Sequence, residues 1–184
     1  MRRKDTKERI LEASMKLFSE KGIRETTIKD IAKQVGVTEG AIYRHFASKD
    51  EIVLGLFQTY SEDFYRRLIS AVRGESSYRE RFSETIRAFL SFCFENPSAF
   101  KYLSLFHYLR AKDVKSFSPL PKDAILELMD EGIRKGHVKV KQEYALALFV
   151  GLLERTFLLV EAGILQKEEV LVEDLASILW KAIS

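Results

Sequence analysis

The stretch TTIKDIAKQVGVTEGAIYRHFASKDE, residues 26–51, decides how the rest of the chain is read. Thr27 with Asp30 three residues on has the pattern of a capping box, in which each side chain bonds the other's backbone N–H at a helix start. Ile28, Ile31, Ala32 and Val35 then follow at i, i+3, i+4 and i+7, one face of a helix. Gly36 ends that helix, because glycine takes the positive φ of a sharp turn without a side-chain clash. Thr38 caps a third, very short helix, and the run from Ser48 to Glu51 is another capping box that opens a fourth. Upstream, Asp5 and Glu8 form the same signature ahead of Ile10, Leu11, Ser14, Leu17 and Phe18, with Gly22 as the stop.

Two helices this short cannot bury enough surface to stand alone, so the first and fourth are expected to clamp them. What the arrangement delivers is an exposed helix face. At roughly 100° per residue, Glu39, Gly40, Tyr43 and Arg44 share one arc, while Ile42 points to the opposite side as an anchor. A protruding helix with small, aromatic and basic residues suits the major groove of DNA. Thr27 and Lys49 sit at helix starts, where backbone N–H groups favour a phosphate.

The charge distribution points the same way. The first fifty residues hold twelve Lys/Arg against eight Asp/Glu, and the remainder hold eighteen against nineteen, so the excess of +3 over the chain of 184 residues originates at the amino-terminal end. Cys93 is the only cysteine, which excludes an intrachain disulfide; within SFCFEN it reads as a small buried apolar side chain, and a reducing cytoplasm is the expected compartment. No apolar run follows the basic MRRK start, so no secretory signal is expected. The most apolar segment, YALALFVGLLERTFLLV, is interrupted by Glu154 and Arg155 and falls short of the roughly 20 residues a membrane span requires. Histidines 45, 107 and 137 are isolated, and the chain carries no His-Glu-x-x-His pair, Gly-x-Ser-x-Gly elbow or phosphate-binding loop. No catalytic, metal or cofactor site is expected.

Prolines occur only at 97, 119 and 121, and no segment alternates apolar and polar residues as a half-buried strand does, so the expected fold class is all-α. Beyond residue 50 the sequence predicts a long helix from EIVLGLF onward, then helices in YRERFSETIRAFLSFCFEN, PSAFKYLSLFHYLRAK and KDAILELMDEGIRKG, and two more at the end. In the first of these two, Ala145 to Leu153 is apolar on every face and requires cover on both sides. The last carries two stripes, Leu171, Leu175, Ile178 and Leu179 beside Val172, Ala176, Trp180 and Ile183. One cover is the chain's own core; the second is expected to be another copy of the chain.

Residues 18–51 read F-x-x-K-G-x-x-x-T-T-I-x-x-I-A-x-x-x-G-V-T-x-G-A-I-Y-x-H-F-x-S-K-x-E, which resembles the DNA-binding signature of the TetR family. The resemblance implies a three-helix helix-turn-helix domain over residues 1–49 and a helical effector-binding and dimerisation domain over 50–184, about nine helices in all. It implies a homodimer on a palindromic operator, most members being repressors released by a small effector. Thr27, Thr38, Tyr43, His45 and Lys49 are then expected to contact phosphates or position the recognition helix, and Arg44 and Tyr43 to touch base edges. Glu39 departs from the residue expected there: it either accepts a hydrogen bond from cytosine N4 or serves the positive end of the helix dipole. His45 either caps the short helix or donates to one phosphate, and MRRK is either a solvated tail or an arm along the DNA.

By the same resemblance the last two helices form the dimer interface, with Phe149, Leu152, Leu153, Phe157, Leu175, Ile178 and Leu179 as candidates. An apolar or amphipathic effector is expected among Phe89, Phe92, Tyr102 and Phe106, with Tyr102, His107 and Arg110 as polar handles. The rival reading within this fold is an architectural or cell-division DNA-binding protein without an effector.

Overall fold

Side-chain caps fix where the helices begin. Asp5 accepts from Glu8 N at 2.8 Å while Glu8 reaches back to Asp5 N, and Thr27 with Asp30 and Ser77 with Glu80 close the same reciprocal box. At Ser48 the box is stretched: Ser48 Oγ accepts from Glu51 N, but the Glu51 carboxylate reaches one residue further back, to Ala47 N. The computed structural model describes residues 5–167 and 172–184; MRRK and Leu171 lie outside the described residues. Its helices are α1 (Thr6–Lys21), α2 (Ile28–Val35), α3 (Glu39–Tyr43), α4 (Lys49–Val72), α5 (Tyr78–Glu95), α6 (Pro97–Leu109), α7 (Ala111–Val114), α8 (Pro121–Arg134), α9 (Gln142–Glu161) and α10 (Val172–Ile183). Among the described residues all regular structure is helical, an all-α fold. The helix absent from the sequence reading is α7, a single turn in which the Arg110 carbonyl accepts from Asp113 N and Val114 N. One turn has no apolar period to read; Val114 is buried, and Asp113 pairs with Arg110 at its start.

The chain divides into two compact units, the first comprising the chain through Tyr60 with Ser98–Ser116, the second Ser61–Pro97 with Phe117–Ser184; α4 contributes to both. In the first unit α1 packs on α2 and α2 on α3, around Ile10, Phe18, Ile31, Ile42 and Phe46. α6 returns to this unit: Phe106 stacks on Phe57 with ring centroids 4.2 Å apart, and the Tyr102 hydroxyl donates to the Val53 carbonyl at 2.7 Å.

In the second unit α5 packs on α9 and α10, and α8 on α9. Phe82, fully buried, meets Phe149 and Trp180 edge-on at 5.7 and 5.6 Å. Tyr78 stacks on His137 and donates its hydroxyl to the Leu128 carbonyl, passing directly over Gly132 of α8. Arg81, buried, donates to the Val72 carbonyl at 2.6 Å and with both terminal nitrogens to Glu131, at 2.9 and 2.5 Å.

This last pair makes stability depend on acid. The Arg81 guanidinium, helped by Lys135, holds the Glu131 carboxyl down at about 2 against its ordinary 4.5. A carboxylate depressed on folding contributes stability that is complete above its unfolded pKa and lost as pH falls towards the folded one. The melting temperature of the wild-type protein is therefore expected to fall between about pH 4.5 and 2 more steeply than that of Glu131→Gln. The variant is the less stable at pH 7, because Arg81 is then left without its counter-charge, and the two curves converge near pH 2. Parallel curves in a calorimetric pH series would count against this account.

Candidate nucleic-acid interface

The α2–α3 pair is held by backbone geometry rather than by length. Gly36 sits in the left-handed region at φ 76°, and the Ala32 carbonyl accepts from both Gly36 N and Val37 N, which stops α2 and turns the chain. Thr38 then accepts from Ala41 N at 3.2 Å and starts α3. Arg9 of α1 donates to the Val35 carbonyl at 2.5 Å and pins the end of α2. From below, Ile42 and Phe46 are buried, and the Lys7 ammonium lies 5.6 Å from the Phe46 ring centre.

With its inner side anchored, α3 presents Glu39, Gly40, Tyr43 and Arg44 to solvent, and His45 follows them; Tyr43 is 52% exposed, unusual for so large an aromatic. This face combines a phenol, a guanidinium, an imidazole and a carboxylate on a convex surface. It can donate and accept hydrogen bonds along base edges and phosphates, and it holds no nucleophile paired with a base. Thr27 and Thr38 serve as caps: the Thr27 hydroxyl is bonded to Asp30 at 2.8 Å, and its backbone and side-chain hydrogen bonds lower the Asp30 pKa. Lys49 is turned inward. Its ammonium donates to the carbonyls of Ile23, Arg24 and Thr26 at 2.8, 3.2 and 2.9 Å, which uses all three of its protons and ties the α1–α2 loop to the start of α4. Arg9 and this carbonyl cage support the face from residues the sequence reading did not single out.

The effector candidates fall into two groups. Phe89 and Phe92 are buried in the second unit against Phe64. Tyr102, Phe106 and Arg110 line a cleft of about 740 Å³ in the first unit; His107 is exposed and edge-on to Phe57. Of the dimerisation candidates, Phe149, Leu153, Phe157, Leu175 and Leu179 are buried within the chain, Leu152 is half-buried, and Ile178 is 55% exposed. The open face of α9 carries Tyr144, Leu148 and Gly151 instead. Among the described residues no group of histidine, cysteine and carboxylate side chains could hold a metal ion, and no helix is long and apolar enough to cross a membrane.

Comparison with known proteins agrees with this geometry. Residues 10–56 match the family described as bacterial regulatory proteins, tetR family, and residues 57–184 match the tetracyclin repressor-like C-terminal domain. The nucleoid occlusion factor SlmA of Marinomonas sp. (strain MWYL1) is 36% identical over 104 residues, 56% of this chain and 52% of that protein. The HTH-type transcriptional repressor KstR2 of Mycobacterium tuberculosis (strain ATCC 25618 / H37Rv) is 36% identical over 72 residues, 39% of this chain and 36% of that protein. The chain thus spans about half the length or less of these curated relatives. A TetR family transcription regulator from Marinobacter aquaeolei VT8 superposes with a TM-score of 0.80 at 18% identity, covering 96% of this chain and 94% of that one. The fatty acid degradation regulator FadR from Bacillus halodurans superposes at 0.72 with 18% identity, covering 98% and 95%; at such identities the likeness concerns the fold. The family is one of DNA-binding regulators rather than enzymes, and with both of its domains matched the chain belongs to the tetR family of bacterial regulatory proteins.

Proposed function

We propose that the protein is a cytoplasmic transcriptional repressor that binds a palindromic operator as a homodimer and is released by a small apolar or amphipathic effector. The observation that carries this reading is the α3 face, with Tyr43 and Arg44 outward and Ile42 and Phe46 locked inward on a capped helix-turn-helix. Each α3 enters a major groove, and two-fold symmetry sets the half-sites about one helical turn, roughly 34–36 Å, apart. Tyr144 and Leu148 of α9 and Ile178 of α10 leave apolar surface open that a second copy would cover. Purified protein is expected to sediment as a dimer at micromolar concentration and Ile178→Glu to shift it towards monomer; a monomeric wild type would overturn the dimer.

Selection of bound fragments from genomic DNA tests the reading as a whole. A short palindrome near one or a few promoters supports a local repressor, and no enrichment removes the proposal. The similarity to a nucleoid occlusion factor favours a second reading, an architectural or cell-division role, which predicts dispersed sites without promoter bias. In either case affinity should fall steeply with salt, as phosphate contacts release counterions.

A further inference from the structure

The 740 Å³ cleft lies within the first unit, between the end of α1, the loop after it, the first turns of α4, and α6. Its size is that of small-molecule sites, roughly 300–1,000 Å³. Phe18, Val53, Tyr102 and Phe106 give it an apolar floor, and Leu105 and Leu109 of α6 stand at it 50% and 67% exposed. Four cations line it, Arg24, Lys49, Lys101 and Arg110, against two carboxylates, Glu25 and Asp50.

We propose that this cleft binds a small amphipathic anion, an apolar body with one carboxylate, and that its occupancy is coupled to the DNA-binding face. The inference rests on the reading of the protein as an effector-released regulator and gives that effector a site and a chemical class. The apolar body covers Leu105 and Leu109, which otherwise face water. The head group is specified by Arg110, whose guanidinium already holds a carboxylate: two of its nitrogens donate to Asp50 at 2.7 and 3.2 Å, and a third to Asp113. A ligand carboxylate offers the same two oxygens and takes the place of Asp50 on the guanidinium fork.

That exchange reaches the DNA-binding face by a short route. Asp50 lies in the first turn of α4 beside Lys49, and Lys49 holds the Ile23, Arg24 and Thr26 carbonyls of the loop that lines the cleft. The loop leads directly into Thr27, the cap of α2. A ligand that binds better when this clasp has shifted lowers DNA affinity by its difference in affinity for the two arrangements.

The test is calorimetric titration of the full chain with sodium decanoate, and with nonyltrimethylammonium as the probe of equal alkyl chain and opposite head. Decanoate is expected to bind one per chain and at least about tenfold tighter than the cation. Leu109→Glu, at an exposed position, should weaken it by about tenfold or more, Arg110→Gln likewise, and Asp50→Asn should tighten it. No decanoate binding, equal binding of the two probes, or unchanged affinity in Leu109→Glu would overturn the site. Binding of genomic fragments measured on the same samples separates the two failures. DNA binding without decanoate binding removes the cleft and leaves the regulator, whereas decanoate in the cleft without any DNA binding removes the regulator.

Discussion

Replacing both Tyr43 and Arg44 by alanine should weaken specific DNA binding by about three orders of magnitude while leaving the melting temperature unchanged. Each side chain stands outside the core on a face whose inner side is held by Ile42 and Phe46, so truncation leaves no cavity. A good base contact is worth about 1–3 kcal/mol, roughly 10- to 100-fold per residue, and the two losses add when the side chains reach different bases. Lys49→Ala makes the contrast. Removing an ammonium that satisfies three carbonyls should lower stability by about 1–3 kcal/mol and weaken DNA binding only through the displaced loop. Equilibrium binding and thermal melts on the same preparations decide the matter. Unchanged affinity in the double variant would mean that α3 does not enter the groove.

Gly132→Ala should destabilise the protein by about 3 kcal/mol, the opposite sign from the usual result. Within a helix such as α8, alanine ordinarily gains about 1 kcal/mol over glycine. Here an added methyl would stand 2.1 Å from the Tyr78 hydroxyl and 2.6 Å from Val138 Cγ2. The phenol cannot swing aside, because it donates to the Leu128 carbonyl and its ring lies stacked on His137 at 4.8 Å. Gly151 of α9 is the internal control: an added methyl meets nothing there within 4 Å, so Gly151→Ala should raise or preserve the stability of the single chain. Denaturant unfolding monitored at Trp180, which lies 6.0 Å from Tyr78, reads both variants, and a stabilised Gly132→Ala would contradict the packing.

The first four helices were legible almost to the residue, because their boundaries are written in local chemistry: the Asp5, Thr27 and Ser48 caps, the Gly22 and Gly36 stops, and the i, i+3, i+4, i+7 run from Ile28. The α3 face was legible for the same reason, since angular spacing alone separates Tyr43 from Ile42. Lys49 was harder to read. Nothing local distinguishes an ammonium aimed at a phosphate from one aimed at carbonyls more than twenty residues back. The return of residues 98–116 to the first unit has no sign in sequence either, since it depends on which apolar faces meet, Phe106 on Phe57 and Tyr102 on Val53. Apolar periodicity in α9 and α10 foretold two faces but not which one faces inward. Phe149 and Leu153 went in, and Tyr144 and Leu148 stayed out.

The five residues of α3 also limit how much a single copy can know about a sequence. Four base-pair types amount to about two bits, so a helix end placing three side chains on base edges reads on the order of six bits, and a two-fold pair about twelve. Singling out one site among ~10⁶ competitors takes about twenty. On the proposed reading of a two-fold operator binder, the remaining bits would come from the sequence-dependent bending and groove width of the DNA between the contacted bases. A sequence logo built from side-chain contacts alone would therefore be too short, and the spacer between the half-sites should carry information of its own.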